Sequence, residues 1–179
     1  MRRTLVLTLA ALAAAACGTP RAPQPLTQYR LAEAFDARRP ADVAVLPVVG
    51  TLPPGTAEVL REAVRRRLLG LRYAPVRFQE VAARPAEFRP GGANAVLEVS
   101  VSRWDDAALY GTGSLGFSGE VRLYGAGSAE PLYRATLRDV TVDARTEAHA
   151  MEDRPDSLRR AAEEAAGMLL SGLPAKGDG

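Results

Sequence analysis

A chain of 179 residues, 47% of them hydrophobic and only one a cysteine, can bury one domain's core but must hold it without a disulfide. Its formal charge of +2 comes from Arg2 and Arg3: without them the 23 basic residues fall to the number of the 21 acidic ones. A chain so balanced gives no reason to expect nucleic acid or anionic lipid as a partner.

The N-terminus carries an address. Two arginines precede an unbroken run of Leu, Val, Ala and Thr from Thr4 to Ala16, and Ala14-Ala15-Ala16 leads directly into Cys17. A basic start, a short apolar stretch and small residues before a cleavage point define a secretory signal peptide over residues 1–16. The run is shorter than the ~20 residues that a membrane-crossing helix needs. With a thiol at the cleavage point, the segment resembles a bacterial lipoprotein signal with its lipobox. The resemblance implies diacylglycerol on the Cys17 sulfur, cleavage after Ala16 and acylation of the new N-terminus. Each buried methylene of such chains contributes ~0.8 kcal/mol, so two or three chains anchor a domain durably. Gly18 stands where such lipoproteins carry Asp for inner-membrane retention, which implies the outer membrane and its periplasmic face. From Cys17 to residue 40 the chain is rich in Pro, Ala, Gln and Arg, with Pro20, Pro23 and Pro25, and reads as a flexible tether.

The single domain is expected over residues 41–174, followed by a disordered tail at 175–179. After Asp42, the apolar run Val43 to Val49 predicts a strand buried on both faces, closed by the loop Gly50 to Gly55. Thr56 is expected to cap a helix with Leu60, Ala63, Val64, Leu68 and Leu71 inside and Arg61, Glu62, Arg65 and Arg66 mostly outside. Gly70 ends that helix. A short strand over Tyr73–Phe78 and a broken helix from Gln79 to Phe88 follow, then a turn at Arg89-Pro90-Gly91-Gly92. Leu97, Val99 and Val101 alternate with Glu98, Ser100 and Ser102, as in a half-exposed strand. A second such strand places Leu115, Phe117, Val121 and Leu123 on one side. In the third, Tyr133, Ala135 and Leu137 share one parity and Val140 and Val142 the other, which predicts a β-bulge at Arg138-Asp139. A last helix, capped by Asp156 or Ser157, carries Leu158, Ala162, Ala165 and Leu169 on its inner stripe. The order β-α-β-(α)-β-β-β-α is an α+β domain, with about five strands in a mixed sheet against two or three helices.

Val43-Ala44-Val45-Leu46-Pro47, the helix end Leu68-Leu69-Gly70-Leu71-Arg72-Tyr73, and Gly92 to Leu97 leading into a strand closed by Trp104 resemble one group of bacterial lipoproteins. The group includes surface-antigen lipoproteins, the curli-secretion lipoprotein and the activator of a penicillin-binding protein. The fold this implies is similar to the N-terminal domain of the Tol-system β-propeller protein, over about Asp42 to Arg145. Leu132-Tyr133 falls where that group often has Leu-Trp.

Nothing in the residue pattern announces a reaction, and the chain is read as no enzyme, without cofactor or metal. His149 is the only histidine and lacks the companions a metal site needs. Asp105 and Asp106 are adjacent on a strand end, where neighbouring side chains point to opposite faces. Gly111 to Gly116 superficially resembles a phosphate loop, but neither a Lys nor a helix follows. The expected function is that of a membrane-anchored envelope lipoprotein, held through Cys17 and binding an envelope protein in assembly or secretion. Ser114, Gly116, Ser118 and Glu120 are its candidate contact residues, on a Gly-rich strand suited to strand addition, with a mobile hairpin as the equal alternative. A charge at Ser118 is expected to impair partner capture without unfolding. The rival reading, from Tyr29-Arg30-Leu31 after the lipobox, is an auxiliary lipoprotein of an ABC-type lipid transport system, which an apolar groove would favour.

Overall fold

The computed structural model describes residues 26–145 and 154–177. Cys17, the signal segment, the tether up to residue 25 and His149 lie outside the described residues.

The apolar run after Asp42 forms strand β2 (Asp42–Val45), whose Val43, Ala44 and Val45 are fully buried because both faces are covered. The strand stops at Leu46-Pro47, and the chain rejoins the sheet only as β3 (Val49–Gly50). Gly50 is obligatory there: its φ is +132°, and a Cβ would lie 1.9 Å from the Val101 carbonyl oxygen. Helix α2 (Thr56–Gly70) buries Leu60, Ala63, Val64 and Leu68 as the 3.6-residue period requires. Its N-cap differs from expectation: Gly55, at φ +79°, occupies that position, and Thr56 is buried.

Strand β4 (Ala74–Pro75) is two residues long, and α3 (Phe78–Ala83) follows. The long antiparallel part is β5 (Val96–Asp105), β6 (Ser114–Tyr124) and β7 (Pro131–Asp143), with α4 (Leu109–Thr112) between β5 and β6. Helix α5 (Arg154–Leu169) closes the order and packs beside α2.

Residues 26–38 are not tether. They form β1 (Leu26–Leu31) and α1 (Phe35–Arg38), and β1 pairs with β7 from Leu26↔Arg138 to Leu31↔Tyr133. Residues 175–177 are held too: Arg39 donates to the Ala175 carbonyl at 3.1 Å and the Lys176 N–H to the Leu71 carbonyl at 2.9 Å. The result is a mixed α+β fold whose seven strands run in the order β1-β7-β6-β5-β2-β4, with β3 beside β5. Strand β2 is parallel to β4 and β5; the β5-β6-β7-β1 run is antiparallel.

One face of the sheet carries the main core. Leu60, Val64 and Leu68 of α2 join Val45, Leu97 and Val99 in a single buried cluster, with Ala162, Ala165 and Leu169 of α5. A smaller cluster of Ala44, Val81, Phe88, Val96 and Tyr124 covers the opposite face beside β2 only. The bulge falls where the parity flip places it. Asp139 has φ +49°, and the β6–β7 register shifts between Phe117 and Gly119, so Leu137 and Val140 both reach the core.

Candidate functional site

The second face of the sheet stays open across β5, β6, β7 and β1, and the strand order decides what it can offer. Strand β6 lies between β5 and β7, so its backbone is already paired on both sides. Strand addition at Gly111 to Gly119 is therefore not available, and neither is a mobile hairpin: the segment is α4, a left-handed Gly113 at its end, and a central strand. Gly119 owes its place to packing, since a Cβ there would meet the Phe117 ring at 2.8 Å. That ring stacks edge-on against Trp104 at 6.0 Å between centroids.

Of the four candidate contact residues, Ser114, Gly116 and Glu120 lie on the open face, each half-buried. Ser118 does not. It is buried in the bulge, where its hydroxyl oxygen accepts the Asp139 N–H at 2.8 Å. Position 118 is thus a hinge pin of the β6–β7 register, not an outward surface.

Glu120 organises the open face. Its side chain is only 17% exposed; it pairs with Arg122 and, at 2.7 Å, with Arg134. Burial alone would push its pKa up, but hydrogen bonds from Arg122 and Arg134 outweigh this and hold the carboxyl below its usual range. Directly opposite one another across the strands stand Glu98, Arg122, Arg134 and Arg30. Nearer β2 a recess of about 420 Å³ is lined by Leu46, Pro47, Val49, Glu98, Glu120 and Arg122 among others. Apolar side chains make up most of its lining, with Glu98, Glu120 and Arg122 beside them.

The sheet's real opening is its β1 edge. The Ala32 N–H bonds to the Leu132 carbonyl at 2.9 Å, which sets the alternation of the ladder. Even-numbered residues of β1 bond β7, and the N–H and C=O groups of Thr27, Tyr29 and Leu31 point outward. Tyr29 is 59% exposed and Leu31 42%, two of the five large hydrophobic side chains exposed among the described residues. The other edge, β4, is two residues long and ends in proline.

Elsewhere the polar groups are structural. Arg61, expected in solvent, donates to the Val45 carbonyl at 3.0 and 2.6 Å and lies 4.0 Å over the Phe78 ring. It satisfies the carbonyl that β4 is too short to reach. Asp105 pairs with Arg103, which lowers its pKa, and Arg103 also reaches Asp139. Among the described residues no three His, Cys, Asp or Glu side chains converge as metal ligands. No described helix is long and apolar enough to cross a membrane.

No protein-family model matches the chain, and no curated protein matches it. Solved structures do. The chain is similar to the PelC dodecamer from Paraburkholderia phytofirmans at 16% identity and a TM-score of 0.53, over 86% of this chain and 99% of that one. A single-substitution variant of that dodecamer gives 16% identity and 0.55, over 86% and 100%. The lipoprotein GNA1162 from Neisseria meningitidis gives 15% identity and 0.44, over 75% and 99%. At these identities the PelC likeness is one of fold.

Proposed function

We propose that this chain is a non-catalytic lipoprotein of the bacterial envelope, anchored through Cys17, that acts as an adaptor by contact with envelope proteins. The observation that carries the contact reading is the open β1 edge, with three outward N–H and C=O pairs and exposed Tyr29 and Leu31 beside them. An edge of this length with no proline in it is a template for a further strand, and proteins without a use for such an edge blunt it. The anchor reading rests on the signal layout before Cys17. That a protein of this fold is described as a dodecamer makes a second copy of the chain one candidate occupant of the edge.

Thr27→Pro tests the edge. Proline removes an outward N–H while leaving the bonds from β1 to β7 in place. Crosslinking of the lipidated protein in whole envelopes should show its partner bands lost in this variant, with abundance unchanged; persistence of the bands would refute docking at β1. Replacing Cys17 with Ser should release the protein from membranes or leave it uncleaved, and unchanged fractionation would refute the anchor.

A further inference from the structure

The open face of β7 and β1 gathers cations that a balanced composition hides. Arg30 stands directly opposite Arg134, and Arg134 opposite Arg122. Arg138 lies two residues from Thr136 on the same side, at the Leu26 register. Like charges directly opposite on neighbouring strands destabilise a sheet. Here only Glu120 is bonded to the group, and it serves Arg122 and Arg134. Among the described residues Arg30 and Arg138 have no carboxylate partner. Both are exposed, and with Gln28, Tyr29, Arg134 and Thr136 they line a shallow recess of about 240 Å³. At the β1 end Arg30, Arg134 and Arg138 meet one bonded carboxylate, that of Glu120, whereas Arg103 on the same face is paired with Asp105 and Asp139.

Position supplies the second argument. Cys17 and Leu26 are nine residues apart, which spans at most about 30 Å fully extended. The anchor proposed above therefore keeps β1, and the Arg face that includes it, within reach of the bilayer surface. Guanidinium groups pair bidentately with phosphate, and basic side chains near an anionic leaflet each favour it.

We infer that the Arg30–Arg134–Arg138 face binds the anionic phospholipid headgroups of the membrane in which the chain is anchored. The contact lays the open sheet face toward the bilayer and leaves the β1 edge, which lies in the plane of the sheet, free for a protein strand. The inference takes its geometry from the Cys17 reading, but its chemistry can be tested without the lipid.

The test uses the mature chain from residue 17 with Cys17→Ser, sedimented with vesicles of phosphatidylcholine alone or with one third phosphatidylglycerol. Binding is expected to the anionic vesicles only, and to fade in 1 M salt as the screening length falls from about 10 to 3 Å. Arg30→Gln with Arg138→Gln should weaken it roughly 30-fold. Trp104 fluorescence and circular dichroism of the double variant should match the parent, because both side chains stand clear of the core. Equal binding to both vesicles, or unaltered binding by the folded double variant, would overturn the inference. So would loss of self-association in that variant with vesicle binding intact, which would assign the face to a second copy. Vesicle binding without acylation of Cys17 in cells would remove the anchor alone; acylation without vesicle binding would remove this face alone.

Discussion

Arg61 and Ser118 show how much one polar side chain can do inside a ladder. Arg61 closes the end of β2 by two bonds to one carbonyl and lies over the Phe78 ring, whereas Arg65, one turn on, bonds only Glu62, with both side chains about one-third exposed. A charge-assisted bond to a half-buried carbonyl contributes about 1.5–3 kcal/mol, and a surface ion pair under about 1. Arg61→Ala is therefore expected to cost about 2 kcal/mol and Arg65→Ala under about 1, read from urea midpoints. The sequence could not separate them, because both fall on the polar stripe of α2 and only the shortness of β4 makes one of them necessary. Ser118→Ala leaves the Asp139 N–H without its acceptor, a loss of about 1–3 kcal/mol. Ser118→Glu, which must bury a carboxylate, should cost more still, and Trp104 fluorescence in urea will rank the three proteins. The alternation of β6 puts Ser118 outward, but the β7 bulge it pins covers it.

Between elements, the most telling link is Tyr133. It lies on β7 with its side chain fully buried, and its hydroxyl donates to the Leu169 carbonyl at 2.7 Å, tying the sheet to the end of α5. Burial pushes its pKa up from 10 to about 12, although a backbone hydrogen bond from Gly172 opposes this. The folded protein thus binds the phenol proton more tightly than the unfolded chain does. Its contribution is complete below pH 10 and is lost as pH rises through about 12. Tyr133→Phe should flatten the fall in stability over that window while costing about 1 kcal/mol at neutral pH, as thermal melts at pH 7 to 12 would measure. At this scale the periodic elements were legible. The stripe of α2, the alternation of β5 and β6 and the bulge at Arg138-Asp139 are all where local pattern puts them. Strand β1 was not, because Gln28-Tyr29-Arg30-Leu31 gains its strand character only from β7.

Across the whole molecule, topology adds what composition leaves out. Equal numbers of acidic and basic residues give no reason to expect an anionic partner, but the sheet distributes them unevenly. Arg30, Arg134 and Arg138 lie at one end of the open face, while most acidic side chains are paired along helices and at the far strand ends. The Gly-rich strand offers no free edge for a related reason. Glycines between Gly111 and Gly119 read as weakness, but Gly113 ends a helix turn and Gly119 admits the Phe117 ring. A sequence shows which backbone is unusual; only the strand order shows which backbone is unpaired.

The pairing of Leu26 with Arg138 also sets a timetable. The first strand of the fold is among the first to be synthesised, and it has no partner until residue 138 has followed. Contacts so distant in sequence form late, after the loop-closure entropy has been met by the β5-β6-β7 meander and its helices. Until then β1 remains unpaired. The processing proposed at Cys17 would then act on a chain whose β1 has not yet paired with β7.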